Sequence, residues 1–509
     1  MTPPDSVGQL FMVDFTGHEP SAEIARLIRE GVGGIVLFEK NVADPAQIAT
    51  LTNALQRIAA DAGHPPLLIS MDQEGGPVVR LRAGATHFPS AMAFGAAGSD
   101  AIVASAAGIT ARELRAVGVQ MNFAPVLDVN TNPLNPVIGV RSYGEDPDLV
   151  GRLGAAAVRA MEVSGVAATV KHFPGHGDTL VDSHLGLPVV EHDLRRLDRV
   201  ELAPYRHAIA AGCAAVMTAH IIFKALDPDR PATVSPVVLG FLRERMGFSG
   251  VLVTDSMAMD AITGYAARGE AAVQAVLAGA DIVLACGPHE AQREALGAVR
   301  DAAGSRRIPP ARITEAAARV AALKQRFRLA ERAIVPVEDV ARRVGVPAHL
   351  VVADHAAEAA VTVVRDPAGL LPVRSAPFAV VDGGAGSGTA ARLVEALRAA
   401  GREATVMPAE AAGQAPGGAV HVVPVGHARR DTPETRAAAA RVAHAAAATS
   451  PIIAVATGAP YVLTEAPPRA TCLAVYGDDP ASLRAAARAL TGLITPQGVL
   501  PVSLPDAGR

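Results

Sequence analysis

The segment Lys171–Pro188, KHFPGHGDTLVDSHLGLP, places His172, His176 and His184 within thirteen residues, together with Asp178 and Asp182. Three chemistries fit that composition. Asp182, two residues before His184, can accept the imidazole Nδ1–H, set the tautomer and leave Nε2 for proton transfer. The carboxylate also favours the imidazolium and raises its pKa, which suits a group that acts first as acid and then as base near neutrality. Alternatively, His172, His176, Asp178, Asp182 and His184 form a zinc or iron donor set, as in a metal-dependent amidohydrolase-type barrel. A solvated loop is the third reading, and the density of histidine speaks against it.

Other ionisable residues close apolar runs. Asp255 ends GVLVTD, where a rigid strand can hold a nucleophile or a metal ligand. An Asp ahead of a helical pattern is equally an N-cap. Asp72 ends PLLISMD, and Arg80 follows eight residues later, beyond Gly75 and Gly76, which permit a sharp turn back. Such a pair can bind sugar hydroxyls or merely hold its own loop. Arg141 lies in NPVIGVRSYGEDP, an irregular segment without apolar periodicity, which is a functional loop or an exposed arginine. Lys171 and His172 end VAATVKHF, and Asp128 and His220 end two further runs. The glycine run in FAVVDGGAGSGTAARLVEAL lacks the lysine of a P-loop and the spacing of a dinucleotide fingerprint, so it reads as a tight strand-to-helix turn.

The elements that must position these residues alternate along the first two thirds of the chain. Eight runs rich in Val, Ile and Leu begin at Gly8, Gly33, Pro66, Val119, Val166, Ala214, Gly250 and Ala280. Helical patterns such as PVVLGFLRERMG and GEAAVQAVLAG separate them. Strands buried on both faces read this way, and eight of them in βα alternation predict a (β/α)8 TIM-like barrel. A doubly wound open sheet is the competing architecture. The barrel is favoured because polar residues recur at successive strand ends, which converge on one mouth only when the sheet closes. Alternation stops in AERAIVPVEDVARRVGVPAHL. The expected organisation is a catalytic domain over 1–331, a linker over 332–350 and a second α/β domain over 351–509. That second domain shows five strand-like runs, AAVTVVRD, FAVVDGG, GAVHVVPVG, PIIAVATG and ATCLAVYG. They predict a flavodoxin-like three-layer αβα sandwich, with Pro408–Gly418 as a loop.

Composition narrows the function. With 509 residues, half of them apolar, the chain is globular and large enough for several domains. A net charge of −4 gives no basic surface for nucleic acid. No apolar run reaches the length of a membrane helix, and MTPPDSVGQLFMVDF lacks the basic flank of a secretory signal, so a cytoplasmic protein is expected. Cys213, Cys286 and Cys472 lie far apart and read as reduced packing thiols. There is no Trp, and aromatics make up 3% of the chain, which suits a pocket for one terminal sugar better than a long aromatic-lined polysaccharide cleft.

Taken together, DQEGGPVVRL, NFAPVLDVN, NPVIGVRSYGEDP, KHFPGHGDTLVDSHLGLP and GVLVTDSMAMDAI resemble glycoside hydrolase family 3, in its branch of bacterial β-N-acetylglucosaminidases of the peptidoglycan-recycling type. They occur in the family's order, and LLPVR and GLITPQGVLPVSLP are similar to the edges of the family's C-terminal sandwich. The resemblance implies a retaining exo-hydrolase with Asp255 as nucleophile, His184 as acid/base and Asp182 as its partner. It assigns Asp72, Arg80, Arg141, Lys171 and His172 to binding the N-acetylglucosamine ring, and it calls for no cofactor and no metal. Phosphorolysis on the same site is the nearest alternative, because a histidine acid/base repels an anionic nucleophile less than a carboxylate does. The aglycone and the oligomeric state do not follow from the sequence.

Overall fold

The computed structural model describes residues 6–382, 388–411, 418–426, 433–447 and 451–505. All eight expected runs of the first region form parallel strands of one sheet: β1 (Phe11–Val13), β2 (Gly34–Leu37), β3 (Leu68–Met71), β4 (Met121–Asn122), β5 (Ala167–Phe173), β6 (Ala215–Thr218), β7 (Val251–Val253) and β8 (Val283–Ala285). Their neighbours run in sequence order from β1 to β7, with β8 beside β1. A parallel bridge between Val253 and Ile282 joins β7 to β8, so the sheet closes and the open-sheet reading falls away. Every residue of these strands is buried, as expected when helices cover the outside and side chains fill the inside. Inside, Met12, Val36, Leu68, Met121, Met217, Val253 and Leu284 share a cluster with Leu323 and Phe327 from the end of the last barrel helix, Pro310–Arg326, and the residue after it.

Helix starts follow local chemistry. Asp44 and Asp146 each precede a proline in the first helical turn, and each side chain accepts a backbone N–H of that turn. The run PVVLGFLRERMG is helical over Pro236–Gly240 and widens to a π-turn over Phe241–Arg245.

A second sheet has six strands: β9 (Thr362–Arg365), β10 (Phe378–Asp382), β11 (Ala404–Pro408), β12 (Val420–Val425), β13 (Ile452–Ala456) and β14 (Thr471–Ala474). Its order, β9-β14-β13-β12-β10-β11, contains the flavodoxin-like parallel arrangement, extended by antiparallel β9 at one edge. The sequence reading expected five strands and overlooked β11. That strand is an edge, three of its five residues are exposed, and it ends in Pro408, so it carries no continuous apolar run. Helices Pro347–Ala360 and Thr389–Ala399 both pack against Pro480–Thr491, and helix Pro433–Ala447 packs against β12 and β13. The Gly383–Ser387 part of the glycine run and residues 412–417 of the expected loop lie outside the described residues. Within 332–350, Val337–Arg342 forms a 3-10 turn, and the helix Pro347–Ala360 begins before the span ends.

The two sheets belong to one packed body. Helix Pro347–Ala360 lies on helices Ala91–Ala97 and Asp100–Ala116 of the barrel. Met92, Ala93 and Val140 share an apolar cluster with Tyr461, Tyr476 and Val502. Ser90 Oγ donates to the Tyr476 carbonyl at 2.8 Å, and Asn130 Nδ2 donates to the Tyr461 hydroxyl at 2.9 Å. No helix among the described residues is long and apolar enough to cross a membrane.

Candidate active site

Strand ends and the loops after them deliver the ionisable residues to one pocket of about 460 Å³, which Asp72, Glu74, Arg80, Arg141, Lys171, His172, His184 and Asp255 all line. Two glycines let the loops come this close. Gly76 has φ +53°, and a Cβ there would meet Ser90 at 2.6 Å. The turn it permits carries the chain back, so that Arg80 Nη2 reaches Asp72 Oδ2 at 3.2 Å. A Cβ on Gly177 would lie 1.9 Å from the Val129 carbonyl oxygen, so only glycine lets the loop after β5 rest on the loop after β4.

Within the pocket, Lys171 Nζ lies 2.7 Å from both Asp72 Oδ1 and Glu74 Oε1. Arg141 grips Glu74 in a two-pronged pair, Nε to Oε2 and Nη2 to Oε1, both at 2.9 Å. Arg141 is therefore no exposed arginine, since 14% of its side chain meets solvent. Burial opposes the ionisation of Asp72 and Glu74, but the adjacent cations outweigh it and hold both carboxyls below their usual range. The Lys171 pKa is raised by the same partners against the same burial. The result is a charge-compensated set of rigid donors and acceptors, suited to a polar ring with several hydroxyls.

Asp128, fully buried, holds the loop after β5. Its Oδ2 lies 2.7 Å from His172 Nδ1, and its Oδ1 accepts the His176 N–H at 2.7 Å and the His172 N–H at 3.2 Å. Asp255 stands two residues beyond β7 and accepts the Ser256 N–H at 2.7 Å. It does not cap a helix, because the next helix starts at Asp260 with Met259 in the cap position. Burial pushes the Asp255 carboxyl up, while His172, His220, the Ser256 N–H and Lys171 pull it further down, so it is held ionised. His220 is itself fixed between Thr233 Oγ1, at 2.8 Å, and the Ser256 carbonyl, at 3.0 Å.

Asp182 and His184 pair as expected, with Asp182 Oδ1 at 2.7 Å from His184 Nδ1 and 2.9 Å from its backbone nitrogen. Asp182 raises the His184 pKa, burial works against it, and Asp255 adds to the rise. The imidazole is 60% exposed, and its Nε2 has no partner among the described residues. The five residues of the metal reading do not gather. His172 goes to Asp128, His176 to Thr179 and Ser183, Asp178 to His192, and Asp182 to His184. Among the described residues no group of three or more His, Cys, Asp or Glu side chains is arranged to hold a metal ion.

Several contributors escaped sequence reasoning. Glu74 was hidden three residues past the strand end, yet it neutralises both Lys171 and Arg141. Asp128 was visible only as a strand-end carboxylate. His176, without a role in the sequence, spans Thr179 Oγ1 at 2.7 Å and Ser183 Oγ at 2.8 Å, and so anchors the stretch that carries Asp182 and His184. The Ser183 carbonyl accepts the Ala261 N–H at 3.3 Å, which ties that stretch to the segment after Asp255. An adjoining pocket of about 340 Å³ shares Arg80, Arg141 and His184 and is closed by Asn130, Arg436 and Tyr461. The last two come from the second sheet's domain, where no spacing pattern marks them.

Fold and site together define a (β/α)8 enzyme with its ionisable groups at the C-terminal mouth of the barrel. The chain matches the glycosyl hydrolase family 3 N terminal domain over residues 4–323. It is 36% identical over 417 residues to beta-hexosaminidase A of Pseudoalteromonas piscicida, spanning 74% of this chain and 69% of that protein. It is 37% identical over 293 residues to the beta-hexosaminidase of Thiobacillus denitrificans, spanning 56% of this chain and 80% of that protein. The solved family 3 β-N-acetylglucosaminidase of Paenibacillus sp. str. FPU-7 superposes with a TM-score of 0.91 at 40% identity, covering 100% of both chains. The chain belongs to glycosyl hydrolase family 3, and it is a glycoside hydrolase.

Proposed function

We propose that the protein is a retaining β-N-acetylhexosaminidase that removes a terminal β-linked N-acetylglucosamine from peptidoglycan-derived fragments. The observation that carries this reading is that an ionised carboxylate, Asp255, and an Asp-paired histidine, His184, line one pocket of about 460 Å³. In the first step the Asp255 carboxylate attacks the anomeric carbon while His184 Nε2–H protonates the departing glycosidic oxygen. A glycosyl–Asp255 ester results. Water then attacks the same carbon, His184 takes its proton, and the carboxylate leaves. Asp182 keeps the imidazole in the productive tautomer and favours its protonated form. Asp72, Arg80, Arg141, Lys171 and His172 hold the sugar ring through hydroxyl and acetamido contacts, with Glu74 and Asp128 positioning them. The adjoining pocket receives the leaving group. The beta-hexosaminidase relatives support the glycosidic specificity. The three free cysteines favour a reducing compartment, and the cytoplasm is the proposed site of action.

A defined N-acetylglucosamine–N-acetylmuramic acid disaccharide tests the reading. Free N-acetylglucosamine, first released as the β-anomer, is expected at equal rates with and without phosphate in the buffer. Sugar 1-phosphate as the main product would overturn hydrolysis in favour of phosphorolysis, and no cleavage would overturn the substrate.

A further inference from the structure

A pocket of about 500 Å³ lies at the other end of the barrel from the mouth. Gln120, which precedes β4, and Gly165, which precedes β5, line its barrel side, and the segment from Glu331 to Val346 closes it. Five arginines line it, Arg112, Arg115, Arg332, Arg342 and Arg343, against two acidic residues, Glu331 and Asp339. Those carboxylates are already engaged, Asp339 by Arg342 and Arg343 and Glu331 by Arg328. Among the described residues the side chains of Arg112 and Arg332 make neither an ion pair nor a hydrogen bond.

Three of these cations crowd around one turn. Arg115 Nη1 donates to the Ser164 carbonyl at 2.9 Å. A Cβ placed on Gly165 would lie 3.0 Å from Arg115 Nη1 and 3.5 Å from Arg332 Nη1, so the two guanidiniums flank the same point. A Cβ on Gly108 would lie 3.3 Å from Arg112 Nη1 and 3.6 Å from Ser164 Oγ, which sets the third cation against the same turn. Burial and then repulsion by Arg332, Arg343 and Arg112 draw the Arg115 pKa down.

Gln120, 4% exposed, is fixed in the floor by its Oε1, which accepts the Ile69 N–H at 3.2 Å.

We propose that this pocket binds a small dianion, a phosphate-bearing or dicarboxylate metabolite, held by Arg112, Arg115 and Arg332. Planar guanidiniums suit the paired oxygens of either group. The bound ion clips the segment after the barrel to the barrel's base. That segment is already docked by Asn53, which exchanges two hydrogen bonds of 2.8 Å with Val335. Binding therefore stabilises the junction that leads to the helix Pro347–Ala360, by mass action on the folded state.

Titration calorimetry and thermal melts of the full chain would use inorganic phosphate, pyrophosphate and citrate, each against sodium chloride of equal ionic strength. At least one is expected to bind saturably and raise Tm where chloride does not. Phosphate and pyrophosphate binding without citrate identifies a phosphate ligand, and the reverse a carboxylate ligand. The R112S/R332S double variant, altered at two exposed side chains, is expected to lose that site or weaken it by about tenfold or more, with glycosidase turnover unchanged. The proposal is overturned if none of the three ions binds saturably, or if all binding survives in R112S/R332S.

Discussion

Three histidines within thirteen residues meet three fates, which residue type alone does not separate. His172 is locked on Asp128, His176 is buried, and His184 reaches solvent with a carboxylate behind it. Burial brings the His176 pKa down to about 4, so it stays neutral where His184, raised by Asp182, takes up a proton. Asp255→Ala is expected to lower kcat on a chromogenic β-N-acetylglucosaminide by about 10⁴-fold or more, with an unchanged circular dichroism spectrum. Near-wild-type turnover would remove Asp255 from the mechanism. In the proposed mechanism glycosylation needs His184 protonated, so kcat/KM should fall as pH rises through its raised pKa. Asp182→Asn takes away the cause of the rise, and the alkaline limb of the pH–rate profile should move to lower pH. A limb that stays in place would exclude the dyad.

At the scale of elements, the loop after β5 is held by buried hydrogen bonds rather than by regular structure. Ser183→Ala removes the bond to His176 Nε2, at a cost of about 1 kcal/mol in unfolding free energy. Because it loosens the stretch bearing the acid, turnover should fall most on substrates with poor leaving groups, while activated aryl glycosides, which need less protonation, lose less. Equal losses on both would argue that the loop does not position the acid. His176 also sets an acid limit. Its folded pKa lies below the 6.5 of the free side chain, so the unfolded chain binds the extra proton first. Stability should therefore drop as pH falls from about 6.5 toward about 4. Chemical denaturation across that range should show the slope, and His176→Gln should flatten it.

As a whole molecule, the chain reads as one cooperative body. The apolar cluster around Met92, Ala93 and Val140 is completed by Tyr461, Tyr476 and Val502, and one wall of the pocket adjoining the site comes from the same side. Truncation after Glu331 should expose that cluster and give an insoluble or strongly destabilised product. The full chain should melt in a single calorimetric transition. A soluble, fully active truncated chain would show that the second region contributes nothing to the site.

The sequence by itself determined the repeating elements. Periodicity, turn residues and strand-end polarity are local, and they survive in a string of letters, so all eight barrel strands and the dyad Asp182–His184 were legible. The edge strand β11 was not, because an edge needs no continuous apolar run. Only the tertiary structure decided which strand ends face one another. Curling of the strands into a barrel brings Asp255 to the same pocket as a loop about seventy residues away in the chain. It gives Glu74 two cations and Asp128 a histidine, and it separates the residues that composition had grouped as metal ligands. Those pairings depend on distances across the fold, which folding sets through the sum of many packed contacts and which no local spacing encodes.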